Sequence, residues 1–223
     1  MPILAILSFL VVAGIILLFS LYSKNRMPGK KRMKREIKEL QEDMDGWITN
    51  LVPLDKEELD LFSLSQDKQV VKTGMGATAK GVFTTIFQEP VVAYSYKRFL
   101  GSKVNEVLYA RTAEHDYVYV TNNGKTQLTI DDQPVGNIQD KVLFGERSGK
   151  EIARITDQAK QNYLPVRVGN REVGALNLEK PKKSDALSQR AFEFIPEDIN
   201  EKEEQLFLAL VTLELVNQSL PSR

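Results

Sequence analysis

The hydrophobic and polar positions of the chain change their period several times, and each change marks an element. From Ile3 to Tyr22 the only polar side chains are Ser8 and Ser20. At about 1.5 Å per residue a helix of this run measures about 30 Å, the thickness of a bilayer core. A cleaved signal peptide is the competing reading. It needs a basic stretch first, a shorter apolar core and a small-residue cleavage site. Here no Lys or Arg precedes the run, and it ends in Leu-Phe-Ser-Leu-Tyr. The pattern predicts one N-terminal transmembrane anchor over residues 1–23.

Met27-Pro28-Gly29 breaks the pattern, and a helical period follows. Met33, Ile37, Leu40, Met44, Trp47 and Leu51 are spaced 4-3-4-3-4, an a/d stripe of limited length. It fits a helix lying on its own domain, or a homodimer seam through residues 33–51. Gly46 interrupts it, which favours the first. Asp55-Lys56-Glu57-Glu58 resembles a capping box opening a short helix through about Leu64. Residues 24–65 therefore read as a basic juxtamembrane and helical linker.

Beyond residue 65 the period falls to two. Gln69–Thr73, Ala77–Gln88, Val91–Phe99, Glu106–Thr112 and Tyr117–Thr121 read as strands rich in Val, Thr, Tyr and Phe. Asn123-Gly124 is a hairpin turn. Three further hairpins, 128–138, 142–155 and 164–176, form a weak internal repeat. Each returns through a strand with a small residue at a fixed place: Val135-Gly136-Asn137-Ile138, Ile152-Ala153-Arg154-Ile155 and Val173-Gly174-Ala175-Leu176. A small residue there implies close approach of something bulky. Pro181–Asp185 reads as a polar loop and Arg190–Ile195 as one more strand.

Asn200, with Glu203 three residues on, forms a capping box for a last helix. From Leu206 to Val216 only Thr212 and Glu214 interrupt an apolar run. A helix apolar on every side must be buried on every side, and this one is too short to span a bilayer. Eleven to twelve strands supply the shell. The expected fold is mainly β (α+β): an antiparallel β-barrel over residues 66–219 around a buried C-terminal helix, preceded by the transmembrane helix.

Composition narrows the chemistry. Cysteine is absent and His115 is the single histidine, which removes disulfides, iron–sulfur clusters, thiolate or histidine-rich metal sites and a cysteine nucleophile. No cofactor is expected. The formal net charge of zero is a cancellation. Residues 1–35 carry seven Lys/Arg and no Asp/Glu, and the other 23 Lys/Arg face all 30 Asp/Glu. The seven are Lys24, Arg26, Lys30, Lys31, Arg32, Lys34 and Arg35. Cytoplasmic flanks of spans carry such an excess, so the domain is expected in the cytoplasm and the N-terminus outside. These same residues are the candidate lipid-headgroup contacts. They lack aromatic interleaving, so nucleic acid is not an expected partner.

Other motifs read blandly. Gly74-Met75-Gly76-Ala77-Thr78-Ala79 fits G-x-G-x-x-A, but a strand pattern follows where a dinucleotide site needs a helix. His115 reads as a turn residue, Asp131-Asp132 as a turn pair and Glu203-Glu204 as helix-capping acids. No acid/base dyad or nucleophile triad assembles, so no catalytic residue is assigned.

The hairpins at 128–176 and the terminal Glu204-Gln-Leu-Phe-Leu-Ala-Leu-Val-Thr-Leu-Glu-Leu-Val-Asn217 together resemble the tubby-like fold, closest to its phospholipid-scramblase and LURP-one branch. The resemblance implies a closed barrel threaded by the C-terminal helix. Scramblase-type members carry their membrane segment after or within the barrel; here it comes first. Tubby proteins bind phosphoinositides through basic residues, with no position-by-position match here. Residues 78–96 are similar, more weakly, to the membrane-side β-domain of mitochondrial growth-inhibition E3 ligases. The second span and zinc-binding RING of those proteins are missing from the pattern. The expected function is a membrane-tethered, non-enzymatic binding or scaffolding module for anionic lipid or a protein partner. The alternative is lipid transport of the scramblase kind.

Overall fold

The computed structural model describes residues 2–48, 50–54, 56–74, 76–157, 162–177 and 189–220. The expected cap Asp55 and the loop Pro181–Asp185 lie outside the described residues. Among the described residues three helices precede the sheet: α1 (Pro2–Asn25), α2 (Lys30–Ile48) and α3 (Lys56–Asp60). Eleven strands among the described residues follow: β1 (Phe62–Gly74), β2 (Gly76–Thr85), β3 (Pro90–Arg98), β4 (Glu106–Arg111), β5 (Asp116–Asn122), β6 (Lys125–Ile130), β7 (Gln133–Gln139), β8 (Val142–Gly145), β9 (Glu151–Ile155), β10 (Tyr163–Val168) and β11 (Arg171–Asn177). The chain closes with α4 (Glu201–Ser219).

Each strand pairs antiparallel with the next, in one sheet ordered β1 to β11. Tight turns make this meander. Asn123 and Gly124 have positive φ, as do the pairs Asp131-Asp132 and Asp140-Lys141. Two successive left-handed residues form the type I′ turn, whose twist matches paired strands. Only the first of these turns carries the Asn-Gly signature. β1 starts at Phe62, ahead of the expected 65/66 boundary and inside the stretch read as helix. Segment 190–195 is not a full strand but makes single bridges: Arg190 to Ser63 and Phe192 to Leu176. It nevertheless bonds both sheet edges. Ala191 N donates to Phe62 O at 2.8 Å, and Asn177 N donates to Ala191 O at 2.8 Å.

One face of the sheet packs on α4. Leu206 to Thr212, Leu215 and Val216 are buried, so the helix is enclosed on all sides as its apolar run requires. Its start is the expected capping box: Asn200 Oδ1 accepts from Glu203 N at 3.0 Å, and Glu203 Oε2 accepts from Asn200 N at 3.1 Å. Gly174 explains one small residue of the repeat, since a Cβ there would lie 2.6 Å from the Phe207 ring. Gly136 has a different reason, the backbone oxygen of Phe144 on β8. Phe62, Phe83, Tyr94, Phe192 and Phe207 stack edgewise or tilted, with ring centres 4.8–6.0 Å apart, and fill the region where β1 meets segment 189–193.

The opposite face of β2 to β5 carries a second core. Met33, Leu40 and Met44 of α2 pack on Val82, Ala93, Val107, Tyr109 and Val118, with Ile37 and Trp47 partly buried against them. The α2 stripe thus lies on its own sheet. In the middle of β3 the faces alternate: Val92 and Tyr94 face α4 while Ala93 between them faces α2. Covering both faces makes the central strands read as continuous apolar runs.

Two tyrosines separate good from poor burial of a hydroxyl. Tyr119 OH donates to Ala209 O of α4 at 2.7 Å. Tyr117 OH is buried and lacks a hydrogen-bond partner, at a cost of about 1–3 kcal/mol. Tyr117→Phe should therefore be neutral or stabilising by about 1 kcal/mol, and Tyr119→Phe destabilising by about 1 kcal/mol. Urea denaturation of the detergent-solubilised chain checks both; equal losses would mean that Tyr117 is satisfied. Leu208, 2% exposed, should cost about 2–5 kcal/mol on truncation to Ala in the same assay. A neutral effect would mean that α4 has an exposed face.

Burial raises the ionisation of both hydroxyls well above the ordinary value of 10.0, helped at Tyr117 by the carboxylates of Asp131, Glu204 and Glu114 and at Tyr119 by Tyr117. Their contribution is complete below about pH 10 and is lost above it, because the unfolded tyrosines ionise while the folded ones stay neutral. Each should remove about 1.4 kcal/mol per pH unit, seen as an alkaline fall in the urea midpoint that is shallower in Tyr117→Phe.

Candidate functional site

The end of α1 is tied to the sheet by backbone and by a guanidinium. Leu100 N donates to Asn25 O at 2.6 Å, and Arg26 forms a parallel bridge with Leu100. The last carbonyls of a helix have no partner within it. Here Arg32 reaches back from α2 and donates to Ser23 O at 3.1 Å and Lys24 O at 2.7 Å. A cation at a helix C-terminus also complements its dipole. Arg32 Nε lies 3.3 Å from Glu36 Oε1. Glu36, only 4% exposed, also accepts from Lys97 of β3. A chain of contacts thus runs from α1 through Arg32 and Glu36 to Lys97 of the sheet. A second strut lies further along α2: Lys80 Nζ is 2.8 Å from Asp43 and 4.9 Å from the Trp47 ring centre.

The seven predicted cations are not one surface. Arg32 is half-buried and committed to α1 and Glu36. Arg35 pairs with Glu39 along α2 at 3.5 Å. Lys24, Arg26, Lys30, Lys31 and Lys34 are exposed and have no ion pair among the described residues. The first turn of α2 contains no acid and its last turn no base. That order opposes the helix dipole. A local rule broken this way points to a constraint from outside the helix.

Antiparallel order brings further cations to the same end. Lys72 near the tip of the β1–β2 hairpin and Lys97 and Arg98 at the end of β3 line one hollow with Asn25, and Lys103 lies in the loop after β3. Sequence reasoning missed these four; the only signal was Lys97-Arg98 closing a strand. Gly76 keeps this junction close, since a Cβ on it would meet Arg98 O at 2.8 Å and Asn25 Oδ1 at 3.5 Å. It starts a strand, not the helix a dinucleotide site needs.

The far end of the sheet carries mostly carboxylates, in the turns at 112–116 and 131–133 and in the first turn of α4. His115 sits there as a turn residue whose N–H donates to Thr112 Oγ1 at 3.0 Å. The fold adds partners that spacing did not reveal: His115 Nδ1 is 2.7 Å from Asp131 Oδ2 and 3.4 Å from Gln205 Nε2. No group of three His, Asp or Glu able to hold a metal occurs among the described residues. Glu203 serves the α4 cap.

Over Ile6–Asn25 α1 is not buried, and it is long and apolar enough to be a membrane span or a signal sequence. No family model matches the chain, and neither does any curated protein or solved structure.

If the guanidinium holds the joint, Arg32→Ala should raise the rate of limited proteolysis at 26–29 severalfold while leaving the urea midpoint of the sheet nearly unchanged. Unchanged cleavage would mean that the Asn25–Leu100 bond suffices alone.

Proposed function

We propose that this chain is a membrane-tethered, non-enzymatic binding or scaffolding module at the cytoplasmic face of a membrane, its sheet a closed, tubby-like barrel around α4. The observation that carries the reading is the joint at Asn25, Leu100 and Arg32. It couples an apolar helix rigidly to one end of the sheet, and that end is the basic one. A signal sequence bound for removal has no use for a guanidinium that satisfies its last carbonyls. Closure of the barrel is supported by segment 189–193, which bonds β1 on one side and β11 on the other. The cytoplasmic orientation is supported by the seven cations that follow the apolar run Ile3–Tyr22 within residues 24–35, where no acid stands among them.

Lipid transport of the scramblase kind is the weaker reading. It needs a route for a headgroup, and the sheet's interior is packed with Phe207, Leu208, Leu210 and Val211.

In intact cells a reporter fused after Arg223 should be protected from external protease and become accessible only on lysis. Digestion in intact cells would reverse the orientation, and retention of the reporter on membranes in a chain lacking residues 1–25 would overturn the tether.

A further inference from the structure

A slot opens at the foot of α1. One hollow of about 350 Å³ is walled by Val71, Thr73, Arg98, Phe99, Leu100 and Leu220. A second of about 230 Å³ shares Thr73, Gly74, Gly76 and Arg98 with it and adds Asn25, Lys72 and Lys97. The first contributes an apolar wall, the second a cationic one. Arg98 is held in place: its Nε donates to Tyr96 OH at 2.9 Å and lies 3.7 Å from Glu106. Both carboxylates of this region are engaged, Glu106 with Tyr96 and Arg98, and Glu36 with Arg32 and Lys97. Lys24, Arg26, Lys72 and Lys103 have no ion pair among the described residues. The slot is therefore positive on balance. Asn25, the last residue of α1, lines it, which sets it at headgroup depth when α1 spans.

We propose that this slot binds one anionic glycerophospholipid of the membrane α1 enters, with the phosphate on Lys72 and Arg98 and the glycerol and first acyl carbons on Phe99, Leu100 and Leu220. The proposal rests on α1 being an uncleaved span. It moves lipid recognition from the cations of 24–35 to a site built by β1, β3 and the end of α4. Charge draws the lipid to this end, and an apolar wall beside the cations distinguishes a lipid from a free phosphate.

The test uses the full chain in nanodiscs of phosphatidylcholine with about a third phosphatidylglycerol, an anionic surface of the kind such cations seek. Native mass spectrometry then reads the phosphatidylglycerol retained. Lys72→Gln, an exposed position, should lower retention about fivefold, the value of one cation at a headgroup surface. The combined variant Lys30→Gln, Lys31→Gln and Lys34→Gln should lower retention less than Lys72→Gln does, because those cations meet the bulk surface and not the retained lipid. Soluble glycerol phosphate should fail to displace the lipid; displacement would overturn the acyl contact. Loss in the combined variant but not in Lys72→Gln would overturn the slot and leave the tether standing. Equal retention of phosphatidylcholine would overturn charge recognition altogether. N-terminal sequencing of the membrane-purified chain separates these from failure of the tether, which would appear as loss of residues 1–25.

Discussion

A helix with no polar face governs this architecture. α4 buries residues around its whole circumference, and no single packed layer can cover it. A sheet that bends around it can, provided that strands follow one another with short turns. The paired positive-φ residues at 123–124, 131–132 and 140–141 supply those turns. Phe207 then needs room, and Gly174 gives it. Tyr119 ties the two layers with a hydrogen bond to Ala209 O, which orients α4 where packing of aliphatic groups would leave its rotation loosely specified.

The sheet's outer surface solves a second problem. Strands β2 to β5 are apolar on both faces, so α2 must lie where it does. Its position brings Arg32 to the end of α1 and Glu36 to Lys97. A buried carboxylate is costly unless it is paired, and Glu36 has two cationic partners. The same residues that seat α2 therefore make the connection between α1 and the sheet stiff. The same contacts set cations of β1 and β3 beside the end of α1 and leave carboxylates of the turns and of α4 at the far end.

Much of this was legible in the chain. The α1 run, the α4 capping box and all-round apolarity, the stripe of α2 and the order of strands follow from periodicity, because burial imposes the period of each element on its own residues. The start of β1 at Phe62 was not legible. Phe62 and Leu64 face the α4 core at the near end of β1, where they meet segment 189–193, and local capping signals outweighed a strand contact made by residues more than a hundred positions away. Segment 189–193 itself has strand composition but two edges to serve, so it makes bridges and no ladder.

The candidate site divides in the same way. Sequence by itself determined that positive charge accumulates after an apolar helix, because seven cations in a row of residues without one acid need no fold to be seen. Only the tertiary structure decided which of them are free. Arg32 and Arg35 are spent on partners set by helix geometry, while Lys72 and Arg98 arrive from strands distant in the chain. Antiparallel pairing brings strand ends together irrespective of their separation in sequence, and no pattern local to any one strand records which end will lie beside α1.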